Sequence, residues 1–577
     1  MSVVWWLTPI LLPLAVAVVT TLRPGPRTSW LLAAAPVPAL VLALAGPLLP
    51  APALSWLLLE PRLALDPVGR VLLALTAVVW IVAGVYARTE AEQRGGYVEW
   101  WLLSLSGNVG LLLSDDILTF YTAFVVMTLA AYGLVVHSRT VEARRAGRVY
   151  LVLGVAGETV LLAGLLLAAA DAPGLRMAEV AGAVAGSANR DLVVALLLIG
   201  FGIKAGVIGL HVWLPLAHPA APFAASAVLS GAMIKAGLVG WLRLLPIGAL
   251  PLPGWSDLLV VLGLATAVVG VALGLTQRAP KVVLAYSSVS QMGFMTLLVG
   301  VALAAPEAAP VAVAAAAVYA LHHGVAKAVL FVAVGLLPSA GGTWRRTALL
   351  VGVAAAGLAL AGAPLSSGAY AKAWMKQAID LALPGTSVTT FASLAAVGTT
   401  LLMARLLLLL RAQRPGAGPA GRPTPGLGAW LTLVVAMATL TPLLPPVLLP
   451  VLATPDSGAV VAEPLWPLLL GLAIAGAVAL AQRRVGVTMP ALPAGDLVVV
   501  GERAVAGVAR VLALLAPPLT AALSRWTRAV QGAALALGRR DEGLDRLEDL
   551  LTRWRTGGAM VALVAVALVI ALAMPLL

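Results

Sequence analysis

The sequence predicts an all-α protein that crosses the membrane many times. Hydrophobic residues make up 61% of the 577 residues and charged residues only 11%. A soluble protein has about 25% charged residues. Apolar runs of ~20 residues, the length that crosses a bilayer, recur along the chain and predict about sixteen transmembrane helices. No stretch of ~100 ordinary residues is left to form a soluble catalytic domain.

The net charge of +13 indicates membrane orientation rather than nucleic acid binding. Arginines gather in alternate loops, and the cytoplasmic loops of membrane proteins carry an excess of Arg and Lys. This alternation predicts a multi-pass protein of a bacterial or archaeal inner membrane, with its N-terminus outside. Residues 1–20 lack a basic start and a clear cleavage site, so we expect them to form the first span rather than a signal peptide.

The composition gives no support to a metal or a cofactor. Cysteine is absent and only five histidines are present, which leaves no thiolate cluster, no disulfide and no cysteine nucleophile. The sequence also lacks a P-loop, a Rossmann glycine pattern and an HExxH motif. We therefore expect neither hydrolysis nor nucleotide binding, and no redox cofactor.

The order of the apolar runs divides the chain into seven parts. They are N-terminal membrane helices over 1–96, a first five-helix repeat over 97–245, a second repeat over 246–411, a Pro/Gly linker over 412–426, additional membrane helices over 427–484, an amphipathic helix over 485–556 and a C-terminal transmembrane helix over 557–577. Charges recur among apolar residues throughout the amphipathic helix, so it is expected to lie laterally on the cytoplasmic side. It serves either as a brace or docking edge, or simply as a helix at the lipid interface.

The most informative segment joins the apolar runs 190–210 and 224–245. Each run carries one lysine, Lys204 and Lys235, although a charge at the centre of a membrane helix costs a few kcal/mol. His211 and His218 lie between them, among prolines that break the helix. Broken backbone at membrane depth persists only inside protein or beside water. The combination predicts an ion path, and a second break about 170 residues later, near Lys372, predicts an internal duplication.

Two more candidates lie in the apolar run 310–337. Lys327 follows His323 by one helical turn on the same face, after the pair His322 and His323. A lysine in an apolar environment can exchange a proton, and a histidine beside it is a reasonable relay. The alternatives are a lysine that extends to the interface and a histidine that is hydrogen-bonded between helices. Residues 286–291 form an uncharged polar string that orders water without titrating.

Glu158 is the one carboxylate deep within an apolar run. It either pairs with a lysine, with Lys204 as the favoured partner, or is neutral and bonded to a neighbouring helix. Asp66, Asp115 and Asp116 stand directly before predicted helices, where a carboxylate caps free backbone N–H groups. We expect these three to be structural.

Five motifs in order support a family resemblance. They are HVWLPLAHPAAP, SGAMIKAG, AYSSVSQMG, LHHGVAKAVLF and GAPLSSGAYAK. Together they resemble the antiporter-like subunits shared by respiratory complex I, group 4 membrane-bound hydrogenases and Mrp-type cation/proton antiporters. The segment HPAAP followed by SGAMIK is most similar to the large hydrogenase-type and formate-hydrogenlyase-type member. The resemblance covers the chain from about Leu65 to Arg405.

The resemblance implies two inverted five-helix repeats and a polar axis along the membrane midplane. The lysine of the first broken helix matches Lys204, the central lysine matches Lys235, and the terminal lysine matches Lys372. The histidine and lysine of the connecting region match His323 and Lys327. Such subunits are expected to move protons, or sodium in some members, and are not catalytic alone. The implied partners are other integral membrane subunits and a peripheral cytoplasmic catalytic module.

One departure from the family pattern bears on the mechanism. The segment FYTAFVVMTLAAY resembles the family's FYLFWELMTLASY, and the family glutamate falls on Val125. Either Glu158 replaces that glutamate as the partner of Lys204, or the first half of the path is altered. Three functions follow: a proton-translocating subunit, a structural membrane anchor that has lost transport, and a component of an Mrp-type sodium/proton antiporter. The first is favoured because the lysines are retained, and the scarcity of carboxylates speaks against the third.

Overall fold

The computed structural model describes residues 2–22, 30–46, 50–54, 60–88, 96–340, 343–413, 425–485, 492–495 and 499. The α-helices of these residues are α1 (Ser2–Leu22), α2 (Leu31–Ala34), α3 (Val37–Ala45), α4 (Pro67–Ala87), α5 (Tyr97–Leu113), α6 (Ile117–Val135), α7 (Val141–Ala170), α8 (Met177–Gly186), α9 (Arg190–Ala205), α10 (Leu214–Ala220), α11 (Phe223–Val228), α12 (Lys235–Leu244), α13 (Pro253–Leu275), α14 (Pro280–Ala304), α15 (Ala309–Leu336), α16 (Thr343–Ala361), α17 (Ser367–Ala382), α18 (Val388–Ala412), α19 (Pro425–Leu448) and α20 (Leu465–Val485). Two π-helical turns, Leu229–Met233 and Gly458–Ala462, and a 3-10 turn, Leu337–Ser339, complete the helical elements of these ranges.

The all-α membrane fold is confirmed. Twelve helices in the described ranges are long and apolar enough to cross a membrane. The predicted total of about sixteen stays a prediction. Most of the amphipathic segment 485–556 and of the linker 412–426 lies outside the described residues, as does the whole of the last span, 557–577.

Burial separates a central group of helices from a peripheral one. The most apolar stretches of α14 and α15 are 100% and 94% buried, and the continuous span from α11 through the π-helical turn to α12 is 94% buried. By contrast, the span that contains α20 is 17% buried, so most of its surface is available to lipid or another subunit. The charged residues predicted at membrane depth therefore lie mainly in the protein interior.

Glycine contacts allow the central helices to approach closely. A Cβ atom on Gly324 of α15 would come within 2.4 Å of the Gly231 carbonyl oxygen in the π-helical turn. Likewise, Gly263 of α13 and Gly293 of α14 each face the carbonyl oxygen of the other. Small residues of this kind are typical of helix interfaces in membranes, where packing rather than the hydrophobic effect drives association.

Two helices are broken by the same backbone motif. α9 ends at Ala205, where Gly206 adopts φ +73° and its N–H bonds to the Gly202 carbonyl. α16 ends at Ala361, where Gly362 adopts φ +89° and its N–H bonds to the Leu358 carbonyl. In both cases the next residue also donates to that carbonyl, which forms a Schellman cap. The first broken helix therefore ends before residue 210, the end expected from the sequence, because glycine terminates it ahead of the prolines.

Side-chain caps start several helices. Asp66 accepts a hydrogen bond from Gly69 N, and Asp116 accepts one from Thr119 N, which confirms their predicted capping roles. Asp115 instead forms an ion pair with Arg176. Arg243, at the end of α12, donates to Asp66 and to backbone carbonyls at the end of α5. These contacts fix one end of the helix that begins with Lys235.

Candidate functional site

The first buried lysine lies at the last turn of α9. Lys204 is only 4% exposed, and its Nζ donates to Thr128 Oγ1 and to the Tyr150 hydroxyl, both at 3.1 Å. The Tyr150 hydroxyl in turn donates to the Thr128 carbonyl oxygen. Two hydroxyl groups on α6 and α7 therefore hold the amine, and neither carries a charge.

A small cavity joins this lysine to Glu158. The cavity has a volume of about 20 Å³ and is lined by Lys204, Glu158, Thr128 and Tyr150 among others. That volume fits one water molecule. Glu158 is 7% exposed and its Oε1 has no hydrogen-bond partner within the described part of the chain. The expected direct ion pair with Lys204 is not formed among these residues, so a water is the natural bridge.

Val125 brings no polar atom to this site. It is half-buried on α6, one turn before Thr128, the residue that contacts the lysine. The buried carboxylate comes instead from Glu158 on α7, the neighbouring helix. The local geometry therefore supplies an acid from a different helix than the family pattern does.

Polar side chains occupy the space between the first lysine and the central one. His211 lies buried in the break between α9 and α10, with its ring 6.1 Å from the ring of Tyr286 on α14. Two residues further along α14, Ser288 shares a 2.8 Å hydrogen bond with Ser230 in the π-helical turn. The predicted polar string 286–291 is fully buried, and it connects these two contacts.

The central lysine contacts both a backbone carbonyl and a histidine. Lys235 Nζ donates to the Ser230 carbonyl oxygen at 2.5 Å and lies 2.9 Å from His323 Nδ1 on α15. His323 Nε2 has no partner among the described residues and is completely buried, which makes it a position for water. A lysine and a histidine in direct hydrogen-bond contact can pass a proton between them.

Lys327 and His218 form a branch toward one surface. Lys327 donates to the Leu284 carbonyl oxygen of α14 at 2.8 Å. His218 stacks on Phe331, and both of its ring nitrogens are buried without a partner in the described ranges. Phe331 lies one helical turn after Lys327 on α15, so the His218 ring packs beside that turn.

The branch ends at a large cavity. This cavity of about 1020 Å³ is lined by Arg145, Lys281, Thr140 and Pro222 among others. Lys281 donates to the Ala221 carbonyl oxygen beside His218 and lies over the ring of Phe223. Water therefore has room to approach the branch from this side.

His322 and Lys372 both lie near the start of α17. His322 Nδ1 lies 2.9 Å from Ser367 Oγ at the start of α17, the helix that carries Lys372 five residues later. Lys372 Nζ donates to the carbonyl oxygens of Leu360 and Ala361, at 3.2 and 2.6 Å. These carbonyls end α16, where the helix dipole places partial negative charge.

The structure thus buries all of the predicted residues inside the protein, and we call this set of residues, together with the polar side chains between them, the polar axis. The polar axis consists of Glu158, Lys204, His211, Tyr286, Ser288, Ser230, Lys235, His323, Lys327, His218, His322 and Lys372. Sequence reasoning did not single out Thr128 or Tyr150, since a hydroxyl in an apolar helix carries no distinctive signal. It noticed His322 only as a neighbour of His323. Among the described residues no group of His, Asp and Glu is arranged to hold a metal ion.

The use of basic residues differs between the axis and the loops. The chain has six lysines and 31 arginines, and four of the lysines lie on the polar axis. The other two are Lys281, which lines the large cavity at the end of the branch, and Lys376, which lies one helical turn after Lys372. Arginine keeps its proton under all ordinary conditions, whereas a buried lysine can release one. Lysine is thus used on the polar axis, where a cation that can release its proton is useful, and arginine is used in the loops.

A family model and a curated relative match the central part of the chain. The family described as NADH:quinone oxidoreductase/Mrp antiporter, TM, matches residues 114–373. NADH-quinone oxidoreductase subunit N of Polaromonas naphthalenivorans is 32% identical over 340 residues, which covers 54% of this chain and 68% of that protein. The chain belongs to this antiporter-like family. Its members are multi-pass proteins of bacterial and archaeal inner membranes.

Other relatives of the antiporter-like family match a shorter part. Hydrogenase-4 component B of Escherichia coli is 31% identical over 242 residues, and NADH-quinone oxidoreductase subunit N of Paraburkholderia phymatum is 32% identical over 240 residues. Each match covers 40% of this chain, but only 36% and 49% of the respective relative. The chain therefore spans less than half the length of these two relatives.

Solved structures of antiporter-like complexes share the fold. A chain of the Mrp complex from Dietzia matches 88% of this chain and 60% of its own length, with a TM-score of 0.72 and 24% identity. A chain of the archaeal membrane-bound sulfane sulfur reductase matches 82% of this chain and 99% of its own length, with a TM-score of 0.66 and 19% identity. At these identities the likeness concerns the fold.

Proposed function

We propose that this chain is a proton-translocating subunit of a larger energy-coupling complex. The observation that carries the proposal is the buried polar axis, in which titratable side chains and hydroxyls follow one another from Glu158 to Lys372. Ionisable residues inside a membrane protein are costly and mark ion pathways. The family assignment supports the same conclusion.

The contacts suggest an order of transfer. A proton passes between Glu158 and Lys204 through the water-sized cavity, and then reaches Lys235 across the polar string 286–291. From Lys235 it moves directly to His323, since Lys235 Nζ and His323 Nδ1 are 2.9 Å apart. His322, which contacts Ser367 at the start of the helix that carries Lys372, then leads toward the last lysine.

The branch through Lys327 and His218 provides the entry. It leads from the polar axis to the large cavity beside Lys281. We propose that this cavity faces the cytoplasm and that the N-terminus lies outside, because arginine-rich loops border the cavity and such loops are typical of the cytoplasmic side. We propose the same side for the amphipathic segment.

The partners follow from the relatives. Hydrogenase-4 component B and NADH-quinone oxidoreductase subunit N carry the names of redox complexes, so we propose that other membrane subunits and a peripheral cytoplasmic module drive this chain. The chain itself then supplies transport and not catalysis. The predicted inverted five-helix repeats account for the matching Schellman caps at Gly206 and Gly362.

A structural anchor without transport is the second candidate, and Val125 is the observation that favours it. The direct contact between Lys235 and His323 argues against it, because an inactive anchor has no need to keep two buried titratable groups in contact. An Mrp-type sodium exchanger is less favoured, since Glu158 is the one carboxylate on the polar axis as described.

The test is proton flux into proteoliposomes that contain the purified, assembled complex. We expect Lys235→Gln to abolish driven flux, because glutamine fills similar space but exchanges no proton. Arg483→Gln, at the exposed end of α20, removes one charge elsewhere and should leave flux unchanged. Absent flux in the wild type, or full flux in Lys235→Gln, would support the anchor; flux that requires sodium would support the exchanger.

A further inference from the structure

An ion pair lies just beyond the last lysine of the polar axis. Lys376 Nζ is 2.7 Å from Glu463 Oε2, and these two side chains are 16% and 49% exposed. Lys376 stands one helical turn after Lys372 on α17, so both amines lie on the same face. The ion pair therefore lies between the buried amine of Lys372 and the protein surface.

A cavity connects the three charged groups. It has a volume of about 20 Å³, enough for one water, and is lined by Lys372, Lys376, Glu463 and Ser393. This cavity resembles the one between Glu158 and Lys204 in size. Each end of the polar axis thus has a lysine, a glutamate and space for a single water.

The segment that carries Glu463 is fixed to α17. Leu365 N donates to the Val460 carbonyl oxygen, and Trp374 Nε1 donates to the Ala453 carbonyl oxygen. Glu463 itself follows the π-helical turn Gly458–Ala462, and its N–H bonds to Gly458 O. π-Helical turns occur often at functional sites. The position of the carboxylate is therefore set by backbone contacts that do not involve Lys376.

We propose that Glu463 accepts the proton that leaves Lys372, and that Lys376 controls when it does so; this rests on the proposed function. Breaking an N–H bond of the Lys372 ammonium transfers the proton through the water to Glu463, which becomes a neutral carboxylic acid. Neutral Glu463 no longer attracts Lys376, the ion pair opens, and the acid releases its proton to water at the surface. The carboxylate then recovers Lys376, which closes the path.

Glu463 is the one carboxylate among the described residues that line this cavity. α17 presents Lys372 and Lys376, and α18 lines the cavity with Ala392, Ser393 and Ala396. α20 contributes Pro467. Two other described carboxylates of these segments have partners of their own: Asp456 caps Ala459 N, and Asp380 accepts from Thr389. Neither of them lines the cavity.

The experiment compares driven proton flux of the assembled complex in proteoliposomes for Glu463→Gln and Asp456→Asn. Glutamine still accepts a hydrogen bond from Lys376 but takes up no proton. We expect at least a tenfold loss of flux for Glu463→Gln, with normal subunit composition of the purified complex, and no change for Asp456→Asn. Full flux in Glu463→Gln would overturn the proposal.

A second variant separates the control step from a merely structural ion pair. Lys376→Gln should retain flux but move the acidic limb of its pH profile upward by about one unit, because the carboxylate loses a neighbouring positive charge. An unmoved profile would contradict the role of Lys376. If wild type conducts and Lys235→Gln does not, while Glu463→Gln conducts fully, only this inference fails. If wild type does not conduct, the proposed function fails with it.

Discussion

The two ends of the polar axis hold a lysine in different ways. Lys204 contacts two hydroxyl groups and shares a cavity with Glu158, a group that can change its charge. Lys372 instead contacts two backbone carbonyls at the end of α16, whose partial charges are fixed. Both lysines lie next to a glycine-terminated break, at Gly206 and Gly362.

The two lysines therefore differ in whether a neighbouring group can change its charge during transfer. Carbonyl groups at a helix end favour the ammonium by a constant amount, since the peptide dipoles cannot titrate. Around Lys204 the attraction depends on whether Glu158 is charged, so the first lysine responds to the state of its surroundings. At the last lysine the variable group is the more distant Glu463.

The largest effect should come from removing the acid at the first end. Glu158→Gln should lower driven proton flux by about 10²-fold, the range seen when a proton-transfer group is lost. Adding Val125→Glu to that variant restores a carboxylate at the position of the family glutamate and should recover part of the flux. Proteoliposome measurements on the assembled complex give both values.

Asp257→Asn is the matched control, because Asp257 is an exposed carboxylate near the start of α13 and lines none of the cavities described above. Two outcomes would contradict the role given to Glu158. Normal flux in Glu158→Gln would make the first end dispensable, and no recovery in the double variant would mean that Glu158 acts through its position on α7.

An intermediate effect should follow from separating the helices that join the two ends. Gly324→Ala places a Cβ atom 2.4 Å from the Gly231 carbonyl oxygen, which must push α15 away from the π-helical turn. Overpacking of this kind costs about 1–3 kcal/mol. Because Lys235 and His323 face each other across this contact, we expect flux to fall by about tenfold.

Gly182→Ala serves as its control, since a Cβ atom there meets no other atom within 4 Å. Thermal unfolding of the purified complex should show a lower midpoint for Gly324→Ala alone. A Gly324→Ala complex with unchanged flux would show that proton transfer at the centre does not need the direct contact between Lys235 and His323.

The smallest effect should come from a helix cap at the last end. Ser366 Oγ accepts from Ala369 N and starts α17, so Ser366→Ala should cost about 1 kcal/mol of stability. Asp116→Ala removes the corresponding cap of α6. Only the first cap is near His322 and Lys372, so flux should fall modestly in Ser366→Ala alone. Equal flux in the two variants would remove this distinction.

Sequence reasoning found the charged members of the site and missed the uncharged ones. A lysine in an apolar run is improbable without a reason, which is why Lys204, Lys235, Lys327 and Lys372 could be predicted from position alone. Tyr150 belongs to the same site, but a tyrosine in a membrane helix has little cost and thus gives no signal.

The local backbone and side-chain geometry could not be predicted from the sequence. Prolines indicated a break, yet the Schellman cap at Gly206 ends the helix earlier, and its φ of +73° depends on tertiary packing as much as on glycine. The same holds for the expected pair of Glu158 and Lys204. The sequence predicts that they are neighbours, but whether a water-sized space remains between them depends on the packing of α6, α7 and α9.

The π-helical turn before Lys235 has a mechanical consequence. Ile234 N bonds to Leu229 O, five residues back, and the Ser230 carbonyl oxygen accepts from Lys235 Nζ. A carbonyl accepts a hydrogen from an ammonium and from a neutral amine alike, so this tether does not depend on the charge of the lysine. Lys235 can then exchange a proton by rotation about its terminal C–N bond. The side chain need not swing, and a backward step meets the same short distance as a forward one.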